Sequence, residues 1–167
     1  MKAILFDNYG YSSAMYCGEI EQPEINEDEV LIKVTAAGIN RPDILQRQGS
    51  YPPPAGASKI LGLEVSGKII KIGKNISLDY LNKDVCALVT GGGYAEYVKT
   101  TVSTVLPLPK GVNIIEAAAI PETFFTVWTN LFDTGSLKKN EVLLIHGGAS
   151  GIGITAALIA KAMGIKF

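Results

Sequence analysis

Apolar residues along the first 110 positions come in short runs separated by polar and turn residues. Residues 2–6, 29–37, 64–72, 84–89 and 94–98 are rich in Val, Ile, Leu and Tyr, and Gly and Pro punctuate the intervals. Short β-branched runs bounded by turn residues predict strands, and several in succession predict a sandwich or small barrel. One short helix interrupts them. Asn40, Pro42 and Asp43 offer an N-cap, an early Pro and a first-turn acid, and Gly49 offers a stop. The acidic stretch from Glu19 to Glu29 reads as a solvated face leading into a strand.

The pattern changes at Pro107-Leu108-Pro109. Residues 114–120 are alanine-rich and predict helix, which Pro121 interrupts. Phe124, Phe125, Val127, Trp128, Leu131 and Phe132 then recur at helical spacing, and residues 133–135 end that helix. Residues 141–146 predict a strand, 147–150 a loop and 151–163 a helix. That last helix carries one charge, Lys161, so it is apolar nearly all round and is expected to be buried. Residues 142–160 hold no charge and approach membrane-spanning length. His146, Ser150, Thr155 and four glycines break them into strand, loop and helix instead.

Composition narrows the function classes. With 15 basic and 16 acidic residues among 167, the chain has a net charge of −1. It has no electrostatic basis for holding nucleic acid or an anionic membrane. An apolar content of 47 % suits a globular chain with a real core. Cys17 and Cys86 make no disulfide framework, and His146 is the only histidine, so a closed zinc site of three or four Cys/His ligands cannot be assembled. The start of the chain has no signal-peptide pattern, and a cytoplasmic location is expected.

The strongest chemical signal is the strand 142–146 running through Gly147-Gly148-Ala149-Ser150 into a helix that begins Gly151-Ile152-Gly153. Glycines let the backbone approach a pyrophosphate, and the helix N-terminus offers free N–H groups and partial positive charge. In the dinucleotide fingerprint G-x-G-x-x-G, Gly148 and Gly153 fill the first and third places, and Ser150 stands in the second. Its side chain either crowds a phosphate or donates a hydrogen bond to it. A βα turn with no ligand is the alternative. Asn40 is a helix N-cap or a site residue, and Tyr51, before Pro52-Pro53-Pro54, faces solvent or a cleft. Thr126 is a helix residue bonded back to its own backbone or a ligand contact. His146 reads as a hydrogen-bonded structural residue, and Glu64 as a partly buried acid paired with a base.

Taken in order, Ala37 to Asp43, Gln46 to Pro54, Leu61 to Gly67, Gly91 to Tyr97, Ala117 to Pro121 and His146 to Gly153 resemble the medium-chain dehydrogenases/reductases. More narrowly they are similar to the zinc-free quinone oxidoreductases that include zeta-crystallin, in the tumour-suppressor-inducible branch. The resemblance spans essentially the whole chain. It implies an α/β (α+β overall) architecture, with a GroES-like, mostly β catalytic domain over 1–124 and the first βα unit of a Rossmann domain over 125–167. Where the zinc enzymes carry Cys and His, this chain has Asn40 and Leu63. The implied chemistry is zinc-independent hydride or electron transfer from NADPH to a quinone. By the same resemblance Asn40 lies near nicotinamide or substrate, Tyr51 lines the substrate mouth, and Thr126 meets the nicotinamide end. Gly148, Ala149, Ser150, Gly151 and Ile152 would hold the pyrophosphate. A homodimer is implied for the full-length family.

One βα unit does not make a dinucleotide-binding domain, so the chain is expected to be the N-terminal half of such an enzyme, with a separately encoded other half as one option. Two other readings stay open. One is a 2-enoyl or 2-alkenal reductase on the same scaffold. The other is a non-catalytic remnant or interaction module built on the small β domain.

Overall fold

Three consecutive residues, Val30, Leu31 and Ile32, are at most 1 % exposed because their strand has neighbours on both edges. That strand, β3 (Glu29–Ala37), pairs antiparallel with β4 (Glu64–Ile72) on one side and β6 (Tyr97–Thr101) on the other. Beyond β4 come β5 (Asp84–Leu88) and β7 (Val105–Pro107), giving the order β6-β3-β4-β5-β7. A separate two-stranded ribbon joins β1 (Lys2–Phe6) to β2 (Met15–Glu19). The computed structural model describes residues 1–167, in two compact units, Met1–Pro121 and Glu122–Phe167. No helix is long and apolar enough to cross a membrane.

The first unit is held by Val30, Ile32, Val65, Ile69, Val85, Ala87, Val89 and Val98, which form one cluster. Each buried Val or Ile contributes about 1.5–3 kcal/mol. The β3–β4 register shifts between Leu31 and Ile32 and again between Val34 and Ala36. Such irregularities bend a strand and increase its twist. Gly67 sits beside the second shift, where an added Cβ would fall on the Lys33 carbonyl oxygen. The helix predicted after Asn40 forms as α1 (Arg41–Arg47), and Gly49 follows it with φ +79.

Several local expectations change. The strand expected at 94–98 begins only at Tyr97. Gly92, Gly93 and Tyr94 instead donate backbone bonds to Ile60, Gly62 and Leu61, a detour that Gly91 (φ +138) and Gly92 (φ +92) permit. The helix expected over 114–120 is a single 3₁₀ turn, Glu116–Ala119. The Asn113 side chain starts that turn by accepting from the Ile115 and Glu116 N–H groups. Pro121 then opens α2 (Pro121–Trp128) rather than breaking a helix, since Pro needs no N–H partner in a first turn. Glu29 is not simply solvated. It accepts from Lys99 at 3.1 Å across the β3–β6 pair, and with the Asn26 N–H this holds its carboxyl below the usual range against the opposing effect of burial.

In the second unit α2 widens into a π turn, Thr129–Thr134, and stops at Gly135. Trp128 and Phe132 rings meet there at 4.7 Å. α3 (Gly151–Ala162) packs Ala156 and Ile159 against Val127, with Leu131, Phe132, Leu143 and Ile145 around them. The strand expected at 141–146 is reduced to one parallel bridge, Val142 to Lys166. A strand without paired neighbours is marginal, and Val142 and Leu144 are 71 % and 81 % exposed. Nor is α3 buried all round. Gly153, Thr155, Ala156, Ile159 and Ala160 are covered, whereas Ile152, Ile154 and Leu158 are exposed, because the second unit's own elements cover only one side of the helix.

The close β3–β4 approach gives a stability test. Gly67→Ala is expected to cost about 1–3 kcal/mol in urea unfolding through overpacking. Gly10→Ala, whose Cβ would meet nothing nearer than Ala14 at 4.0 Å, is expected to change stability by less than ~0.5 kcal/mol.

Candidate functional site

Asp43 is 3 % exposed and accepts three hydrogen bonds. Its Oδ2 takes the Asn40 N–H at 2.8 Å and the Tyr94 hydroxyl at 2.8 Å, and its Oδ1 takes the Gly62 N–H at 3.0 Å. A buried carboxylate survives only when its oxygens are satisfied in this way. Three segments distant in sequence are thereby pinned together: the start of α1, the turn before β4 and the loop before β6. Gly62 lies at φ +99, and a Cβ there would come within 2.6 Å of the Tyr94 ring and 2.8 Å of Gly93 Cα.

Asn40 stands on this frame with extended backbone, φ −123 and ψ 157. Its Nδ2 donates to Glu64 Oε1 at 2.8 Å, and Glu64 is 2 % exposed. A carboxylate only accepts, so the amide nitrogen must face Glu64. Gly38 lies over the same carboxylate, where any Cβ would collide with it. Asn40 is thus an N-cap by position and also one end of a buried polar chain. Glu64 is more deeply buried than its sequence suggests, and its Oε1 accepts from Asn40. Burial, the bond to Asp43 and the Asp43 and Glu64 charges push the Tyr94 hydroxyl well above its ordinary range. Beside this cluster, Ala37, Ile39, Tyr94, Ile4 and Cys17 border an open groove of about 450 Å³. A larger cavity of about 520 Å³, bordered by Val89, Gly91 and Thr100, is lined by none of the predicted site residues.

Tyr51 follows α1 and its stop at Gly49. It is 46 % exposed and its hydroxyl makes no hydrogen bond within the chain. Asn40 and Tyr51 belong to the first unit, and Thr126 and the glycine loop to the second. Thr126 is half-buried on α2, and its hydroxyl makes no bond back to the helix. His146 is exposed and has no hydrogen-bond partner, unlike the structural histidine expected.

The glycine loop forms as a helix start. Ser150 is the N-cap of α3, and its Oγ accepts from the Gly153 N–H at 3.0 Å. The Ser150 N–H closes a turn onto Gly147 O at 2.9 Å, and the Ile154 N–H reaches Ser150 O at 2.8 Å. The N–H groups of Gly151 and Ile152 remain free, the condition for anion binding at a helix N-terminus. Ser150 Oγ uses one of its two lone pairs on the Gly153 N–H, and its hydroxyl hydrogen is still available to donate. Gly148 has nothing within 4 Å of a Cβ position, so the loop is open there. Gly153 allows the opposite, since a Cβ there would come within 2.5 Å of Gly147 O and 2.7 Å of Gly148 Cα. Gly148 through Ile152 are all exposed.

The helix starts at Asn40 and Ser150 form where the sequence predicts them, whereas the joining of Asp43, Gly62 and Tyr94 was not foreseen. The spacing Asn40-x-x-Asp43 signals an acid turned back onto the helix start. Nothing in the sequence signals its other two donors.

The alcohol dehydrogenase GroES-like domain model matches residues 26–110. The quinone oxidoreductase of Sus scrofa is 33 % identical over 168 residues, covering 99 % of this chain and 51 % of that protein. Among solved structures, the CurK enoyl reductase superposes with a TM-score of 0.86 at 27 % identity, covering 98 % of this chain and 52 % of its own. A mycobacterial protein complexed with NADPH superposes with a TM-score of 0.85 at 26 % identity, covering 99 % and 51 %. The chain therefore spans about half the length of these three proteins.

Tyr94 gives a pH test with a definite sign. Its hydroxyl titrates above the ordinary value near 10 when folded. Its contribution to stability is therefore complete below about pH 10 and is lost as pH rises beyond that value. Tyr94→Phe is expected to cost about 1 kcal/mol at neutral pH and to flatten the alkaline loss of stability in urea unfolding. An unchanged alkaline slope would contradict the assignment. Asp43→Ala strands three donors and is expected to cost about 3 kcal/mol or more.

Proposed function

The chain belongs to the alcohol dehydrogenase GroES-like family, within the medium-chain dehydrogenases/reductases, and from that premise we propose that it carries the N-terminal half of an NADPH-dependent quinone oxidoreductase. The observation that carries this reading is the exposed turn at Gly148–Ile152, with two free N–H groups at the start of a twelve-residue helix. The similarity to the pig quinone oxidoreductase supports the acceptor class, and the mycobacterial neighbour solved with NADPH supports the cofactor.

When bound, the nicotinamide supplies the hydride or electrons. The Gly151 and Ile152 N–H groups would receive the pyrophosphate, and the Ser150 hydroxyl hydrogen would point to a phosphate oxygen. Gly148 leaves room for that approach. Asn40, its amide nitrogen fixed by Glu64, would orient the nicotinamide or the acceptor. Thr126 would bound the nicotinamide end. The Tyr51 hydroxyl, free of internal partners, would donate a hydrogen bond at the substrate mouth. Asn40 and Leu63 stand where zinc relatives place Cys and His, which supports a zinc-independent reaction.

Val142, Leu144, Ile154 and Leu158 present an apolar surface in the second unit. We propose that a complementary α/β half, or the same region of a longer chain, covers it and completes the cofactor site. An enoyl or alkenal acceptor is the second reading, favoured by the likeness to the CurK enoyl reductase.

NADPH titration of the 167-residue chain, followed by nucleotide fluorescence, tests the site. Saturable binding is expected, with Gly151→Val weakening it at least about tenfold by crowding the phosphate. That variant should keep its fold, because the new Cβ meets only Thr123 Cγ2 at 3.4 Å. Absence of binding, or equal binding by the variant, would count against the loop as the cofactor site in this chain. With a completing half added, turnover of quinones over 2-enoyl thioesters supports the first acceptor reading, and the reverse preference supports the second.

A further inference from the structure

On the face of α1 that does not carry Asn40 lies Gln46, 4 % exposed, whose side-chain amide makes no hydrogen bond within the chain. No polar side-chain atom in the molecule is sealed from solvent without a partner, so this amide is reached from outside. The access is a cleft of about 380 Å³ that Gln46 shares with Phe6, Tyr9, Pro53, Asp7 and Lys59.

The cleft is built rather than incidental. The Gly10 N–H donates to Arg47 O at 3.0 Å, and Arg47 Nε returns a bond to Gly10 O at 3.1 Å. These two bonds clamp the loop after β1 onto the end of α1. The Tyr9 ring rests against Gly49, where a Cβ would come within 2.9 Å of it. Phe6 and Tyr9 stand 6.4 Å apart with their planes at 43°, an open wedge of two rings. Asp7 is occupied by the Tyr16 hydroxyl at 2.8 Å. Lys59 is exposed and has no carboxylate within ion-pair distance.

We propose that this cleft binds a planar aromatic ring carrying a hydrogen-bond donor and acceptor side by side on one edge, as in a primary aryl amide or a nucleobase. A glutamine amide offers one carbonyl and one NH₂, and its complement is such an edge. The two rings and Pro53 supply the apolar walls a flat ring requires. The edge is neutral, so Lys59 plays no part in holding it. The site shares no residue with the cofactor loop or with the Asn40 cluster, and it stands or falls apart from the oxidoreductase reading.

The test is a titration of the isotope-labelled 167-residue chain with benzamide, followed by amide resonances. Saturable shifts confined to the Phe6–Tyr9 loop, Gln46 and Lys59 are expected. Gln46→Leu should weaken binding about tenfold, and Tyr9→Ala, at a residue 68 % exposed, about threefold or more. Adenosine titrated in parallel separates the aryl-amide source from the nucleobase source, and saturable binding of either supports the proposal. Failure of both ligands to give saturable shifts there would overturn it. So would tighter binding of benzoate that is lost in Lys59→Ala and kept in Gln46→Leu. If Gln46→Leu fails to fold, Tyr9→Ala decides, and unchanged affinity in that variant overturns the proposal.

Discussion

One buried carboxylate organises the first unit around its cleft. Asp43 takes backbone donors from Asn40 and Gly62 and the hydroxyl of Tyr94. Each bond reaches a segment that lacks regular sheet pairing of its own. The turn at Gly62 has positive φ, Gly38 lies against Glu64, and Gly93 lies against Gly62. These close approaches leave no room for side chains, so the cluster tolerates little rearrangement. The β sheet supplies the bulk of the stabilisation through Val30, Ile32, Val65 and Ile69. Asp43 supplies the geometry, because it determines where the loops at the sheet's end come to rest.

The two units differ in how far their own residues satisfy them. In the first, central strands β3 and β4 have neighbours on both edges, and Val30, Leu31, Ile32, Val65 and Ile69 on them are buried. In the second, a single parallel bridge stands where a sheet would be, and Val142, Leu144 and Leu158 face solvent. The glycine turn at 147–151 nevertheless forms completely, because its determinants are local. Ser150 caps the helix, Gly147 supplies the positive φ, and Gly153 lets the loop lie on the first helical turn. A capped glycine turn needs only its own few residues, whereas a sheet needs paired strands.

The same division between local and distant determinants governs what could be read from the sequence. Strands 2–6, 29–37 and 64–72 were legible to the residue, because β-branched runs between turn residues are a local signal. The start of α1 and the helix after the glycine loop were legible for the same reason. Strands β2 and β7 were not, since each is made by its partner, β1 and β5, rather than by its own composition. The run 141–146 looked like a strand and is not one, because propensity cannot supply neighbours. In the site, Asn40 was legible by motif, but its tie to Glu64 spans 24 residues, and the tie from Asp43 to Tyr94 spans 51.

The central claim is that Asp43 fixes the cleft frame in the protein by itself, before any ligand arrives. Native-state hydrogen exchange at the Gly62 amide tests it most directly, because that N–H has the Asp43 carboxylate as its partner. The account predicts protection close to that of core amides on β3 and β4, lost on Asp43→Ala, which removes both acceptor oxygens, while the β3 amides stay protected. Exchange of the Gly62 amide as fast as that of the exposed turn at Gly111, or protection that survives Asp43→Ala unchanged, would contradict it.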